Sequence, residues 1–257
     1  MPQKVIVDPG DIGEMNELKR LSIRHKETSL TILSTKNLGK KAREELAANY
    51  SQLERYIQKN KLFYSSYEPV SVGSEAPRIA KLMACASEKA GVGPMAAVAG
   101  AFSDLIGKFF LEKGAREVIV ENGGDIFMKL AKPRKVGIYA GPSDFSERIG
   151  FLVLPEETPL GICTSSDSVG PSISLGKPDA VTTLATSSAL ADAAATAIGN
   201  AVRGNSPVKK GIARAKRIDG LQGVLIIKGG EMGAWGKLPQ IIRTKSADRK
   251  IKSNTPA

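Results

Sequence analysis

The chain is poor in the side chains that most often bind metals or form disulfides. It has two cysteines, Cys85 and Cys163, far apart in sequence, and a single histidine, His25. Two cysteines so far apart do not indicate a disulfide framework, and the absence of a CxxC pair, together with the single histidine, argues against a structural zinc site. We therefore expect two buried free thiols, as in a reducing compartment.

Long apolar runs and aromatic residues are also scarce. The N-terminus "MPQKVIVDPGDIGEMNELKR" has no apolar core after a basic start, so it does not resemble a signal peptide. No run is expected to reach the length of a membrane span, which predicts a cytoplasmic protein. Aromatic residues make up only 5% of the chain and are not interleaved with basic runs, which argues against nucleic acid as a partner.

Positive charge, in contrast, is abundant. The formal net charge is +11, and basic residues are densest at "KPRK" (132–135), "KKGIARAKR" (209–217) and "RTKSADRKIK" (243–252). A basic surface attracts a small-molecule anionic ligand or an acidic protein partner, although the same charges also suit a merely well-solvated surface. The basic C-terminal tail has no assigned role at this point.

Apolar periodicity and glycine or proline boundaries predict a mixture of helices and strands. Helices are predicted at 39–60, 76–90, 94–114 and 187–204, and strands at 28–35, 116–122, 126–131, 160–165 and 180–186. The two types do not alternate regularly, as a doubly wound parallel sheet would require, so the fold class is α+β. With 42% hydrophobic residues and no clear boundary, residues 1–257 are expected to form a single domain. Residues 1–23 and 244–257 are expected to be flexible ends.

The segment "VIVENGGDIFMK" (118–129) interrupts strand-like sequence with Asn122, Gly123, Gly124 and Asp125. Asn-Gly is a favoured hairpin turn, with the aspartate then simply solvated. Alternatively, the glycines expose backbone N–H groups to an anionic ligand. By itself the motif favours the turn.

A second candidate lies in "ALADAAATAIGNAV", where Asp192 and Thr196 are four residues apart on a predicted helix. They therefore share one face of the helix, one turn apart. A carboxylate and a hydroxyl so placed can both reach one hard cation. The alternative is that Asp192 is exposed and Thr196 bonds back to a helix carbonyl.

Together, "ENGGDI" and "AVTTLATSSALADAAATAI" resemble the ApbE family, the FAD:protein FMN transferases. The similarity is closer to an uncharacterised prokaryotic branch of that superfamily, through residues 76–101, 120–126 and 176–200. It covers roughly residues 24–230. Gly100 takes the place of the family's glycine in the helix that precedes the Gly-Gly-Asp strand.

The resemblance implies an ApbE-like fold, with mixed or antiparallel sheets and packed helices, that binds FAD or a related flavin with Mg²⁺. Asn122, Gly123, Gly124 and Asp125 would then lie against the cofactor. Asp192 and Thr196, with a backbone carbonyl from the helix of Gly100, would hold the metal.

The chain departs from the family where the transferases carry a histidine. The corresponding stretch is "GPSISLGKP", with Pro171 in the histidine position, and His25 lies far upstream. Asp167 or Asp179 could substitute as a base. The catalytic residues, the acceptor and the oligomeric state, including a homo-oligomer, stay open.

Two hypotheses follow. One is an ApbE-like protein that binds a phosphate-containing cofactor with Mg²⁺, as a divergent flavin transferase or a flavin-linked enzyme. The other is a non-catalytic binding protein that uses its basic surface for nucleic acid or an acidic protein partner.

Overall fold

The computed structural model describes residues 7–8, 18–141, 143, 145–146, 148–165 and 178–244. Its helices are α1 (Gly39–Lys59), α2 (Lys61–Ser65), α3 (Arg78–Ala90), α4 (Val98–Glu112), α5 (Ser188–Ala201) and α6 (Pro207–Ala215). Its strands are β1 (Val7–Asp8), β2 (Lys19–His25), β3 (Thr28–Ser34), β4 (Val118–Asn122), β5 (Asp125–Lys129), β6 (Arg134–Gly137), β7 (Ile149–Val153), β8 (Leu160–Ser165), β9 (Ala180–Ala185), β10 (Leu221–Lys228), β11 (Glu231–Gly236) and β12 (Gln240–Arg243). Short 3₁₀ helices span Pro94–Ala97 and Pro155–Glu157.

The strands form two sheets. The larger has the order β11-β10-β9-β8-β5-β4-β3-β2, and the smaller has the order β1-β6-β7-β12. Each neighbouring pair in both sheets is antiparallel. The α+β class with antiparallel sheets and packed helices is therefore confirmed.

The larger sheet is the middle of three layers. Along β4, Val118 and Val120 join the core beneath the helices, whereas Ile119 joins a second core with Phe151 of the smaller sheet. Alternate residues of a strand point to opposite faces, so this division follows directly from the pleat. One face of the larger sheet thus carries the helices and the other carries the smaller sheet.

Glycines bring α4, α5 and the larger sheet unusually close together. A Cβ on Gly100 would lie 2.2 Å from the carbonyl oxygen of Ser188, and one on Gly161 would lie 2.4 Å from the Ser188 nitrogen. A Cβ on Gly107 would meet the Phe127 ring at 2.0 Å. The Ala, Val and Gly content of the first half of α4 predicts this close packing, and the structure confirms it.

A buried carboxylate fixes the start of α5. Asp104 of α4 accepts hydrogen bonds from Ser187 Oγ (2.6 Å) and from the backbone N–H groups of Ser188 (2.9 Å) and Ala189 (3.2 Å). It therefore supplies acceptors to N–H groups that lack a partner within the helix, and its charge faces the positive end of the helix dipole. The first turn of α5 is tied to α4 in this way.

Several expectations need correction. Residues 19–23 are not a flexible end, because they form most of β2 against β3. The cysteine prediction holds for Cys163, which is buried, but is wrong for Cys85, which is exposed.

One segment, Pro94–Glu112, is long and apolar enough to cross a membrane, contrary to the expectation that no run approaches that length. In the structure 67% of the 18-residue stretch that meets this criterion is buried within the protein. Its apolar residues, among them Phe102, Ile106 and Phe110, belong to the core beneath the helices.

Candidate metal centre

A row of polar side chains crosses the larger sheet on its helical face. The register pairs Asn122 with Asp125, Asp125 with Cys163, and Cys163 with Thr183 across four adjacent strands. Directly opposed residues on antiparallel strands have Cβ atoms about 4.5–5.5 Å apart, so these side chains are immediate neighbours. We call Asn122, Asp125, Cys163 and Thr183 the polar row.

Asp192 of α5 joins the middle of this row. The carboxylate oxygens of Asp125 and Asp192 and the sulfur of Cys163 all lie within 4.8 Å of one another. Asp125 and Cys163 are 8% and 3% exposed, and Asp192 is half-buried. Three potential metal ligands thus converge from β5, β8 and α5, and we call them the metal centre.

Backbone and side-chain hydrogen bonds hold this arrangement. Asp192 Oδ2 accepts the N–H of Gly100 at 3.0 Å, and Thr183 Oγ1 donates to the carbonyl of Ala191 at 2.7 Å. The first bond ties Asp192 to α4, and the second ties α5 to β9. The position of Asp192 over the polar row is therefore set by hydrogen bonds to α4 and β9 as well as by α5 itself.

Gly100 contacts Asp192 by the hydrogen bond that its N–H group donates. The resemblance implies instead a backbone carbonyl of this helix as a metal ligand. The carbonyl of the preceding residue, Ala99, accepts a hydrogen bond from Asn122 Nδ2 at 3.0 Å. Asn122 therefore joins the end of β4 to the first turn of α4, next to the metal centre.

Gly123 and Gly124 form the two-residue turn between β4 and β5. Their φ angles are +64° and +112°, which glycine adopts most readily. The N–H of Gly124 donates to Glu121 Oε1 at 3.0 Å. The segment is thus a hairpin turn, as the motif by itself predicts. The side chain of Glu121, on β4, accepts a hydrogen bond from one N–H group of this turn.

Glu121 is itself buried beside that turn, and burial raises the pKa of its carboxyl group. Hydrogen bonds from the N–H groups of Gly124 and Gly123, and the charge of Arg20, oppose the shift. Burial therefore disfavours the charged form of Glu121, which lies next to the turn.

A cavity of about 330 Å³ lies further along α5. Thr196 and Asn200 line it, and with Asp192 they form a half-buried polar stripe at every fourth residue of the helix. Tyr64 and Tyr67, which are among the large exposed hydrophobic residues, also line this cavity. Because a helix rises about 1.5 Å per residue, the stripe is about 12 Å long, and Thr196, which lines the cavity, lies about 6 Å along the helix axis from Asp192.

The remaining candidates lie elsewhere or outside the described residues. His25 is at the end of β2, where its ring meets Tyr50 edge-on at 5.0 Å, and β2 is three strands away from β5. Asp179 Oδ2 accepts the N–H of Gly229 at 2.6 Å, close to the β10–β11 turn. Pro171 and Asp167 lie outside the described residues.

The sequence did not identify Cys163, Tyr64 and Tyr67 as candidate site residues. The strand pattern of "LGICTS" places Gly161, Cys163 and Ser165 on one face, but it does not indicate which strand pairs with it. Pairing with β5 is what places Cys163 beside Asp125.

The three-layer arrangement defines an ApbE-like fold. The apo form of the flavinyl transferase ApbE from Pseudomonas stutzeri matches with a TM-score of 0.59, over 85% of this chain and 94% of that chain, at 15% identity. The ApbE protein from Thermotoga maritima matches with a TM-score of 0.54, over 89% and 97%, at 16% identity. At such low identity these similarities show the fold alone.

Closer relatives identify the family. A family profile described as "AbpE bacteria" matches residues 13–230, and the chain belongs to that family. UPF0280 protein MJ1526 of Methanocaldococcus jannaschii is 43% identical over 232 residues, which is 88% of this chain and 93% of the relative. The UPF0280 protein of Methanococcus vannielii is 40% identical over 237 residues, covering 90% and 96%. The resemblance to an uncharacterised branch of the ApbE superfamily is thus confirmed.

Proposed function

We propose that this protein binds FAD, or a closely similar phosphate-containing cofactor, together with a divalent cation at the metal centre. The observation that carries the proposal is the close approach of Asp192 to Asp125 of the polar row, with Thr196 one helical turn from Asp192. The fold that it shares with flavin transferases makes a flavin dinucleotide the first ligand to test.

The residues present are chemically suited to a cation. Two carboxylates supply the oxygen ligands that Mg²⁺ and similar ions prefer, and they are close enough to share one ion. A cation bound there would neutralise the charge of a pyrophosphate group and polarise its bonds. The N–H of Gly100 orients Asp192 for this role, and Asp104 holds the start of α5 in place.

The cavity offers a site for one ring system of such a ligand. Its volume of about 330 Å³ lies near the lower end of the range for ligand pockets, about 300–1,000 Å³. Its lining includes the aromatic side chains of Tyr64 and Tyr67 and the hydrogen-bonding side chains of Thr196 and Asn200. We infer that a ring lies in the cavity and the phosphates extend along the polar stripe of α5 toward the metal centre.

The proposal concerns binding, because the usual base of the transferases has no counterpart here. The one histidine of the sequence, His25, lies on β2 rather than at the metal centre. Flavin transfer to a threonine or serine hydroxyl would need another group to accept the hydroxyl proton.

The test is a titration of the purified protein with FAD, with and without Mg²⁺ or Mn²⁺, followed by flavin fluorescence. We expect cation-dependent binding, and we expect Asp192→Asn to raise the Kd in the presence of cation by about 10–100-fold or more, the loss typical of disturbed metal ligation. Asn keeps an oxygen that can accept the Gly100 N–H, so the fold should survive.

Asp179→Asn is the matched control, since Asp179 also accepts a backbone N–H but lies near the β10–β11 turn. This variant should bind FAD as the unmodified protein does. No FAD binding with any cation would overturn the proposal, and cation-dependent binding unchanged in Asp192→Asn would remove Asp192 from the site.

A further inference from the structure

The third member of the metal centre is a thiol rather than an oxygen donor. We propose that the Cys163 thiolate is a ligand of the cation, so that the centre prefers a thiolate-binding divalent ion such as Zn²⁺ or Co²⁺ over Mg²⁺. This inference rests on the proposed function, since it names the class of cation bound at the same site.

The position of Cys163 is the first support. It lies directly opposite Asp125 across the β5–β8 ladder and directly opposite Thr183 across the β8–β9 ladder. Its side chain is 3% exposed and lies on the helical face of the sheet, where Asp192 comes down from α5. An ion that both carboxylates bind would therefore also lie next to the sulfur.

The distances are compatible with coordination. An ion about 2.0–2.3 Å from each of an oxygen and a sulfur ligand in tetrahedral geometry places those ligands about 3.6 Å apart. The three ligand atoms already lie within 4.8 Å of one another. Side-chain movements on the order of an ångström would close the site, while the β5–β8 register keeps the two strand residues adjacent.

Ligand chemistry then selects the metal. Mg²⁺ takes oxygen ligands in near-ideal octahedral geometry, so a sulfur atom at this distance occupies space without contributing a bond. Zn²⁺ and Co²⁺ accept mixed sets of thiolate and carboxylate. The thiol releases its proton to solvent when the metal binds, and three protein ligands leave a coordination position for a phosphate oxygen.

Cobalt provides a direct spectroscopic test. We would titrate the metal-free protein with Co²⁺ and record the near-ultraviolet region, where a thiolate–Co²⁺ bond gives a charge-transfer band. The band is expected in the unmodified protein and in Cys85→Ser, whose exposed thiol lies on α3. It should be absent in Cys163→Ser. Zn²⁺ should displace Co²⁺ and abolish the band, whereas Mg²⁺ at the same concentration should not.

A selectivity measurement gives a second readout that does not depend on a spectrum. The ratio of Zn²⁺ to Mg²⁺ affinity, measured calorimetrically, should fall by about 10–100-fold or more in Cys163→Ser, because a disturbed metal site typically loses that much affinity. The variant's thermal unfolding, measured without metal, checks that the fold is intact.

The outcomes separate this inference from the proposed function. Co²⁺ binding without a charge-transfer band in the unmodified protein would overturn the role of Cys163 and leave a cation site of oxygen ligands. Mg²⁺ bound as tightly as Zn²⁺ would do the same. Failure of all these cations to bind, even with FAD present, would overturn the proposed function and this inference together.

Discussion

At the scale of single residues, the glycine turn at 123–124 and the carboxylate of Glu121 depend on each other. The turn directs its N–H groups at a side chain of the same strand, so Glu121 occupies part of the surface that a bound anion would otherwise use. The two glycines therefore act mainly as the turn of the β4–β5 hairpin. The flanking residues Asn122 and Asp125 belong to the polar row.

The pH dependence of stability should carry the signature of Glu121. Its carboxyl pKa in the folded protein lies above the ordinary value of 4.5 because the group is buried. As the pH rises from 4.5 through the folded pKa, the native state retains a proton that the unfolded state has lost, so stability falls across this window. Glu121→Gln removes the titrating group and keeps an acceptor for the Gly124 N–H.

The expected result is a smaller fall in the urea midpoint between pH 4.5 and neutral pH in Glu121→Gln than in the unmodified protein. Glu231→Gln, an exposed position on β11, is the control and should reproduce the unmodified curve. An undiminished fall in Glu121→Gln would show that other groups cause the dependence.

At the scale of elements, hydrogen bonds in both directions join α4 and α5 into one packed pair. Asp104 caps α5 from α4, and in return Asp192 on α5 accepts an N–H from the first turn of α4. Both bonds require the close approach that Gly100 allows. The helix pair therefore positions the metal centre through backbone contact as well as through side chains.

Gly100→Ala should disrupt this unit. The added Cβ would lie 2.2 Å from the carbonyl oxygen of Ser188, a backbone atom that cannot rotate away. We expect a loss of about 1–3 kcal/mol in the free energy of unfolding, as for other overpacked cores. Cation affinity should weaken as well, because the Gly100 N–H moves away from Asp192. Denaturant unfolding and metal titration measure the two effects.

Gly230→Ala is the matched control, since Gly230 lies in the β10–β11 turn and, among the described residues other than its chain neighbours, no atom lies within 4 Å of the added Cβ. It should change stability by only a few tenths of a kcal/mol, as surface substitutions usually do. A Gly100→Ala variant as stable as this control would contradict the close-packed interface.

At the scale of the whole molecule, the high positive charge is a separate feature from the metal centre. Exposed basic residues include Lys209 and Lys210 on α6 and Lys216 and Arg217 just after it. α6 packs against α5 and β10, and these four side chains face solvent. The alternative hypothesis, binding of nucleic acid or an acidic protein, would act through surfaces of this kind.

Salt dependence distinguishes the two modes of binding. We expect FAD affinity to change only a few-fold between about 50 and 200 mM salt, because charges at the partly buried metal centre are screened less than surface charges. A nucleic acid neutralised by 6–10 basic residues would lose about 10³–10⁵-fold over that range. Filter binding of RNA and fluorescence titration of FAD, in matched buffers, provide the comparison.

The double charge reversal Lys209→Glu with Lys210→Glu tests whether the basic surface of α6 binds the ligand. It should leave FAD binding unchanged and weaken any nucleic-acid binding. A steep salt dependence of FAD binding, or loss of FAD binding in the double variant, would mean that the basic surface rather than the metal centre holds the ligand.

The sequence by itself determined half of the helices and strands, and the family. Helices α1 and α5 and strands β3, β4 and β9 follow from apolar periodicity and glycine boundaries, which are local properties of the chain. The combination of "ENGGDI" with "ADAAAT" is specific enough to identify the superfamily. The sequence alone therefore makes Asp125, Asp192, Thr196 and Gly100 candidate site residues.

Only the tertiary structure decided which of these residues meet and what joins them. Cys163 reads as an ordinary buried thiol, because strand pairing between β5 and β8 links segments that are distant in sequence and leaves no local pattern. Likewise, the sequence shows Asp104 only as one acidic residue on an apolar helix. Its role as the acceptor for N–H groups of α5 follows from the packing of the two helices. The chemistry of the metal centre depends on that register, since a shift of one residue would turn Cys163 to the opposite face of the sheet.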